Sequence, residues 1–384
     1  MSAIRRRTTR WSWVLALAIP LALGCGGDQA VAPSLAPESA SASQEIDGRG
    51  AMADAVLFVG NFTFFDAFPD PGPGNGILRY TGAGAFIDNM VPEGTHGLTI
   101  ACCMTFGPDE NLYVGSPLTG NVLRFNGVTG AFIDEFISAG SGGLVTPLIL
   151  VFRDDKLYIG DSGANDIARY DAVTGEFIDV FVPPGSGGMG QEFGVPQEFS
   201  FGPDRNLYVS SPPTTTTRGK VLRFNGLTGA FIDVFVGSEA VSNPSGLIFG
   251  PNGDLYVTND NGVNRFNGRT GALIDAFVGQ GSGGLSGPVG MAFGPDGNFY
   301  VSSADNGQIL RYNKKGRFID AFVPAGRGDI SGPRVIKWKS TIVVCHSKRK
   351  GEKAKSITVG YLSATERLAH GDKLGPCTHG RDEG

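Results

Sequence analysis

The chain has 384 residues, with 59 Gly, 23 Pro and 26 Phe, 41% apolar residues, 18% charged residues and a formal net charge of −5. So much Gly without a Gly-x-y period excludes collagen and argues against long helices, whose interiors Gly weakens, while the apolar fraction suffices for a large core. Residues 25–333 carry 17 Lys and Arg against 32 Asp and Glu, so the body is acidic and a nucleic-acid partner is not expected.

The chain begins with a basic cluster, Arg5, Arg6, Arg7 and Arg10, followed by the 13 apolar-rich residues Trp11 to Leu23. This reads as an export signal over 1–24, too short to span a membrane comfortably. It ends in Leu21-Ala22-Leu23-Gly24-Cys25, which resembles a bacterial lipobox although Ala22 and Leu23 depart from the preferred residues. The resemblance implies lipidation at Cys25. That would place the protein in the periplasm or on the outer surface of the cell envelope, with the membrane reached through an N-terminal lipid anchor. An ordinary cleaved signal peptide is the alternative. Residues 25–52, rich in Ala, Ser, Pro and Glu, read as a flexible tether.

From residue 53 a repeat takes over. Asn111-Leu112-Tyr113-Val114 recurs as Lys156-Leu157-Tyr158-Ile159, Asn206-Leu207-Tyr208-Val209, Asp254-Leu255-Tyr256-Val257 and Asn298-Phe299-Tyr300-Val301, with Val56-Leu57-Phe58-Val59 as a degenerate first copy. A Phe-Gly-Pro-Asp type turn precedes most copies, as at Phe106–Asp109 and Phe293–Asp296. An Arg-aromatic pair follows each copy (Arg79, Arg124, Arg169, Arg223, Arg265 and Arg311), and then a Phe-Ile-Asp segment such as Phe132–Asp134. Val, Ile, Phe and Tyr favour strands, and Pro-Asp-Gly and Asn-Gly-x-Thr-Gly favour tight reversals. Four short antiparallel strands per unit of about 44–50 residues predict a blade, and six units predict an all-β, six-bladed β-propeller of four-stranded antiparallel blades over 53–345.

The stretch from Asp155 to Asp171, with its strand, Asp161, Asn165 and the pair Arg169-Tyr170, follows the NHL pattern. The chain therefore resembles NHL-repeat propellers of the virginiamycin B (streptogramin) lyase and gluconolactonase-like group over roughly residues 55–333. Lyases of that group use His and Glu residues with a divalent metal. Here the body holds only His96, and the other three His residues fall after residue 345, so the catalytic His set is missing. Gluconolactonase-like enzymes hold a metal with Glu, Asn and Asp at the channel, which makes oxygen ligands for calcium or magnesium the cofactor reading, with none fixed by the sequence.

After Pro333 the repeat breaks. Arg334-Val335-Ile336-Lys337-Trp338 stands where Val289 to Phe293 would be echoed, and residues 334–384 carry 11 Lys and Arg against 5 Asp and Glu. Val335–Trp338 is a candidate closing strand and Thr341–Val344 one more. The stretch 346–384 reads as a basic, disordered or aberrant tail, either native or frameshifted. Cys345 and Cys377 are a candidate disulfide if that tail is real. Cys102-Cys103 reads as a vicinal disulfide, as a soft-metal site or as two small residues of a buried strand.

Antiparallel blades put the tight turns on one face and the long connections on the other. Asp161, Asn165, Asn259, Asp260, Asp305 and Asn306 fall on the long-loop face and are the candidate ligand-binding residues. The Asp repeated in every unit reads as structural, and the repeated Arg as a blade-to-blade hydrogen-bonding partner. Residues Pro212–Thr217 form a loop insertion. Near-identical blades favour a binding or scaffold module for a protein, peptide or glycan. The alternative is a metal-dependent lactonase- or lyase-like enzyme using acidic residues at the central channel.

Overall fold

A computed structural model describes residues 52–62, 75–190, 196–260, 262–346, 355–361, 368 and 372–377. Strands β1 (Val56–Asn61), β2 (Gly76–Thr81) and β3 (Phe86–Pro92) open the first blade. The second holds β4 (Cys103–Phe106), β5 (Leu112–Ser116), β6 (Asn121–Phe125) and β7 (Phe132–Ile137). The third holds β8 (Pro147–Arg153), β9 (Lys156–Asp161), β10 (Asp166–Asp171) and β11 (Phe177–Val182). The fourth holds β12 (Glu198–Phe201), β13 (Leu207–Ser211), β14 (Lys220–Phe224) and β15 (Phe231–Val236). The fifth holds β16 (Pro244–Phe249), β17 (Leu255–Asn259), β18 (Gly262–Phe266) and β19 (Leu273–Val278), and the sixth β20 (Pro288–Phe293), β21 (Phe299–Ser303), β22 (Gln308–Tyr312) and β23 (Phe318–Val323).

The missing strand of the first blade comes from the far end of the chain. β24 (Pro333–Lys339) pairs antiparallel with β1, Val56 opposite Lys339 and Val59 opposite Ile336, which makes six four-stranded sheets. The first strands β24, β4, β8, β12, β16 and β20 touch one another in cyclic order, so they surround the axis of a closed ring. Arg334 to Trp338 thus closes the ring despite its departure from the repeat.

The blades are joined by aromatic sandwiches. In each of blades two to six, the Tyr of the second strand lies edge-on between a Phe of its own fourth strand and an aromatic of the next blade's first strand. Tyr208, with Phe235 and Phe249 each at 4.8 Å, is typical, and Tyr300 meets Phe322 and Trp338. Edge-on aromatic pairs add roughly 0.5–1.5 kcal/mol each beyond their burial.

The recurrent Arg and Asp pair within a blade, correcting the blade-to-blade expectation. They sit opposite each other on strands three and four, with Arg Nε to Asp Oδ1 at 2.8–3.1 Å in all six blades. A second contact from Arg Nη2 completes a bidentate fork, at 2.5 Å between Arg169 and Asp179. Asp179's carboxyl is held below its ordinary value by this bond, and Arg169 is raised by it. Arg79 alone among these six also donates to the Val128 carbonyl of the next blade, at 2.8 Å.

A seventh sheet joins β25 (Thr341–His346), β26 (Lys355–Gly360) and β27 (Lys373–Leu374). The expected boundary at 345/346 falls inside β25, and the described part of 346–384 is strand and turn instead of disordered chain. Cys345 and Cys377 are disulfide-bonded. The sheet is seated on the first two blades. Tyr361 is buried against Phe58 and donates to the Gly127 carbonyl at 2.7 Å. Glu110 pairs with Lys339 and accepts the Val343 N–H. Cys102 and Cys103 are disulfide-bonded to each other and fully buried at the start of β4. The signal, the tether and Cys25 lie outside the described residues.

Candidate ligand-binding face

The long-loop face is organised by one position in five of the six blades, the last residue of the second strand; in the fourth blade the Ser211 hydroxyl oxygen has no hydrogen-bond partner among the described residues. Asp161 Oδ2 accepts the Val145 N–H at 2.7 Å, and its Oδ1 accepts Thr146, Gly163 and Ala164 N–H at 2.8–3.0 Å. The carboxylate thereby ties the loop entering the third blade to the β9–β10 turn. Asn259 Oδ1 does the same for Ser242 and Asn243, and Asn61 Oδ1 for Ser331 and Gly332. Ser116 Oγ accepts the Thr99 N–H and Ser303 Oγ the Ser286 N–H. Backbone groups of a loop need such partners, and a short Asp, Asn or Ser side chain reaches them without leaving the strand.

The candidate residues of the sequence are therefore spread over three blades and engaged in their own loops. Asp260, in the left-handed region at φ 50, accepts the Ser242 hydroxyl at 2.7 Å. Asn165 turns the β9–β10 connection at φ 58. Asp305 accepts the Ser286 hydroxyl at 2.9 Å, and Asn306 donates to the Gly284 carbonyl at 2.8 Å. Among the described residues, no three His, Cys, Asp or Glu side chains gather to hold a metal ion.

His96 has a packing role. Its ring stacks on Phe132 at 3.8 Å and 9°, and its backbone is left-handed at φ 49. Gly142 takes the same place over Phe177. At φ 61, a Cβ there would lie 2.0 Å from a ring carbon, so only Gly fits flat on the ring. Gly187, Gly283 and Gly328 cover Phe231, Phe318 and Phe86 alike. The loop into the fifth blade has no such cover, and there Leu273 replaces the Phe and is 53% exposed.

Sequence reasoning missed the polar residues of the axial strands. Arg334 and Lys337 on β24 stand where β20 has Val289 and Ala292. Lys337 is buried, as are Gln197 just before β12, Glu198 and Ser200 on β12 and Ser245 on β16. β12 is the fourth of the six axial strands counted from β24, so it lies across the ring from Arg334 and Lys337. Burial lowers the Arg334 pKa, opposed by the Asp305 charge. The signal was present in the break after Pro333, where Val335–Trp338 read as a candidate closing strand and Arg334 and Lys337 only as a departure from the repeat.

Two apolar side chains stand out from this face. Leu118 is 55% and Val145 52% exposed. The turn bearing Leu118 abuts the Val145 backbone, since a Cβ on Gly120 would sit 2.9 Å from the Val145 carbonyl oxygen. At the rim of the fourth blade the insertion lines an open groove of about 420 Å³ with Thr216, Thr217, Arg218, Lys220 and Glu239.

The chain matches no family model and no curated protein. Solved structures do match. A crystal structure of a nidogen/laminin complex is 14% identical with a TM-score of 0.50, covering 74% of this chain and 97% of that one. A streptogramin B lyase is 16% identical with a TM-score of 0.45, covering 72% and 76%. A gluconolactonase from Xanthomonas campestris is 18% identical with a TM-score of 0.44, covering 56% and 73%. The chain has a β-propeller fold. At these identities the likeness extends to architecture alone, and such folds host both enzymes and binding modules.

Proposed function

We propose that the protein is an exported, lipid-anchored NHL-type propeller that binds a partner at the bacterial cell envelope through its long-loop face. The observation that carries this reading is the exposed pair Leu118 and Val145 on loops pinned by backbone clamps. Exposed aliphatic side chains on rigid loops lose little entropy on binding. Among protein, peptide and glycan, they favour a protein or peptide. The clamps also use the acidic and amide oxygens that an enzyme of this architecture would need for chemistry. A propeller of similar fold occurs in the nidogen/laminin complex, which is consistent with a protein ligand. The basic, apolar N-terminus ending at Cys25 supports the anchor.

The test uses the full chain on peptide and glycan arrays, beside a panel of lactone and streptogramin substrates. Saturable binding that Leu118→Asp and Val145→Asp abolish, and that Leu227→Asp on the tight-turn face leaves intact, supports the reading. Metal-dependent turnover without such binding overturns it. Labelled palmitate incorporation that Cys25→Ser removes tests the anchor, and no incorporation contradicts it.

A further inference from the structure

The β9–β10 turn of the third blade brings two carboxylates together with no basic partner. Asp161 and Asp166 face each other in register across the hairpin. Asp161 is 1% and Asp166 8% exposed. Asp161 is satisfied by four backbone N–H groups. Asp166 Oδ1 is buried without a hydrogen-bond partner, and so is the hydroxyl oxygen of Ser162, which is fully buried in the same turn. Neither carboxylate has a salt-bridge partner among the described residues. Two buried like charges require compensation, and acceptor oxygens without donors are suited to a cation.

We propose that this turn binds a hard divalent cation of the calcium class, with Asp166 and Asp161 as carboxylate ligands and Ser162 as a hydroxyl ligand. Calcium takes oxygen donors in flexible geometry and completes its shell with carbonyls and water, which suits a turn that offers two carboxylates and one hydroxyl. Because Asp161 also holds the Val145 and Thr146 N–H groups, the ion would stiffen the loop that presents Val145. The site is distinct from the axial strands and does not depend on which partner the long-loop face binds.

The test is calorimetric titration of the EDTA-stripped full chain with calcium chloride, followed by melting with and without the ion. Terbium serves as a luminescent probe, with Tyr170 on β10 of the same hairpin as the antenna. The expected result is one ion per chain, a rise in melting temperature and terbium emission. All three are lost in Asp166→Asn and kept in Glu176→Gln, an exposed acid of the same blade. Ser162→Ala weakens affinity about tenfold, and it carries the test if Asp166→Asn fails to fold. No stoichiometric binding by the unaltered chain, or binding unchanged in these two variants, overturns the proposal. The titration needs no protein ligand, so a failed partner search leaves its outcome untouched.

Discussion

Arg79 donates to the hydroxyl of Tyr361 at 3.3 Å, the same distance at which Arg124 meets the hydroxyl of its own blade's Tyr113. The first blade has Phe58 where the other five have Tyr, and Met90 where they have Phe. Tyr361 packs on Phe58 and supplies the phenol that this blade lacks. The seventh sheet is therefore complementary to the ring, which argues that the tail belongs to it.

That complementarity has a measurable cost when removed. Tyr361→Phe loses the bonds to Arg79 and Gly127 and should destabilise by about 1–2 kcal/mol. Tyr361→Ala adds a cavity and should cost about 3–5 kcal/mol. Urea unfolding of the two variants measures both. Equal stability of Tyr361→Ala and the unaltered chain would mean that the tail does not dock.

Ring closure rests on β24. Ile336 is 1% exposed, so Ile336→Ala should cost about 2–5 kcal/mol. Truncation before Pro333 should abolish cooperative melting, because it removes the strand that pairs with β1. Truncation after His346 keeps that strand and should melt cooperatively at a lower temperature. Cooperative melting of the chain ending at Gly332 would show that the ring closes without β24.

The Arg–Asp forks make a small pH-dependent contribution. Asp179 has a folded pKa below its unfolded value, because Arg169 bonds its charged form. This stability is present above the unfolded carboxylate pKa and is lost as pH falls through the folded one. The Asp179 side chain is 45% exposed, so screening keeps the pair under about 1 kcal/mol. Acid titration of stability in Asp179→Asn should be flatter than in the unaltered chain below the usual carboxylate range. An identical slope would deny the fork any energetic role.

The fold was legible because its signals are local and repeated: Tyr in the second strand of five blades, Gly-Pro-Asp and Asn-Gly turns between strands. The closing strand was visible as a candidate, though its Arg334 and Lys337 disguised it. The function of Asp161 was not legible. Its partners Val145 and Thr146 lie 16 and 15 residues back, and nothing in the sequence says that a loop returns to a strand end. The Arg–Asp pairing was misassigned for a related reason, since only the register of strands three and four sets the two opposite each other. His96 could have been found by aligning Gly94-Thr95-His96-Gly97 with Gly140-Ser141-Gly142-Gly143, which puts His in the place of the ring-covering Gly.

The long-loop face is held by clamps of the Asp161 kind. Asp161→Ala should cost about 2–3 kcal/mol, as expected for buried N–H groups losing a charged acceptor. Amide hydrogen exchange on this variant is the most direct test. The clamp predicts selectively faster exchange at Val145, Thr146, Gly163 and Ala164, with the strands of the ring still protected. Unchanged exchange at these amides, together with loss of a metal-dependent turnover on lactones, would contradict it and make Asp161 a catalytic residue.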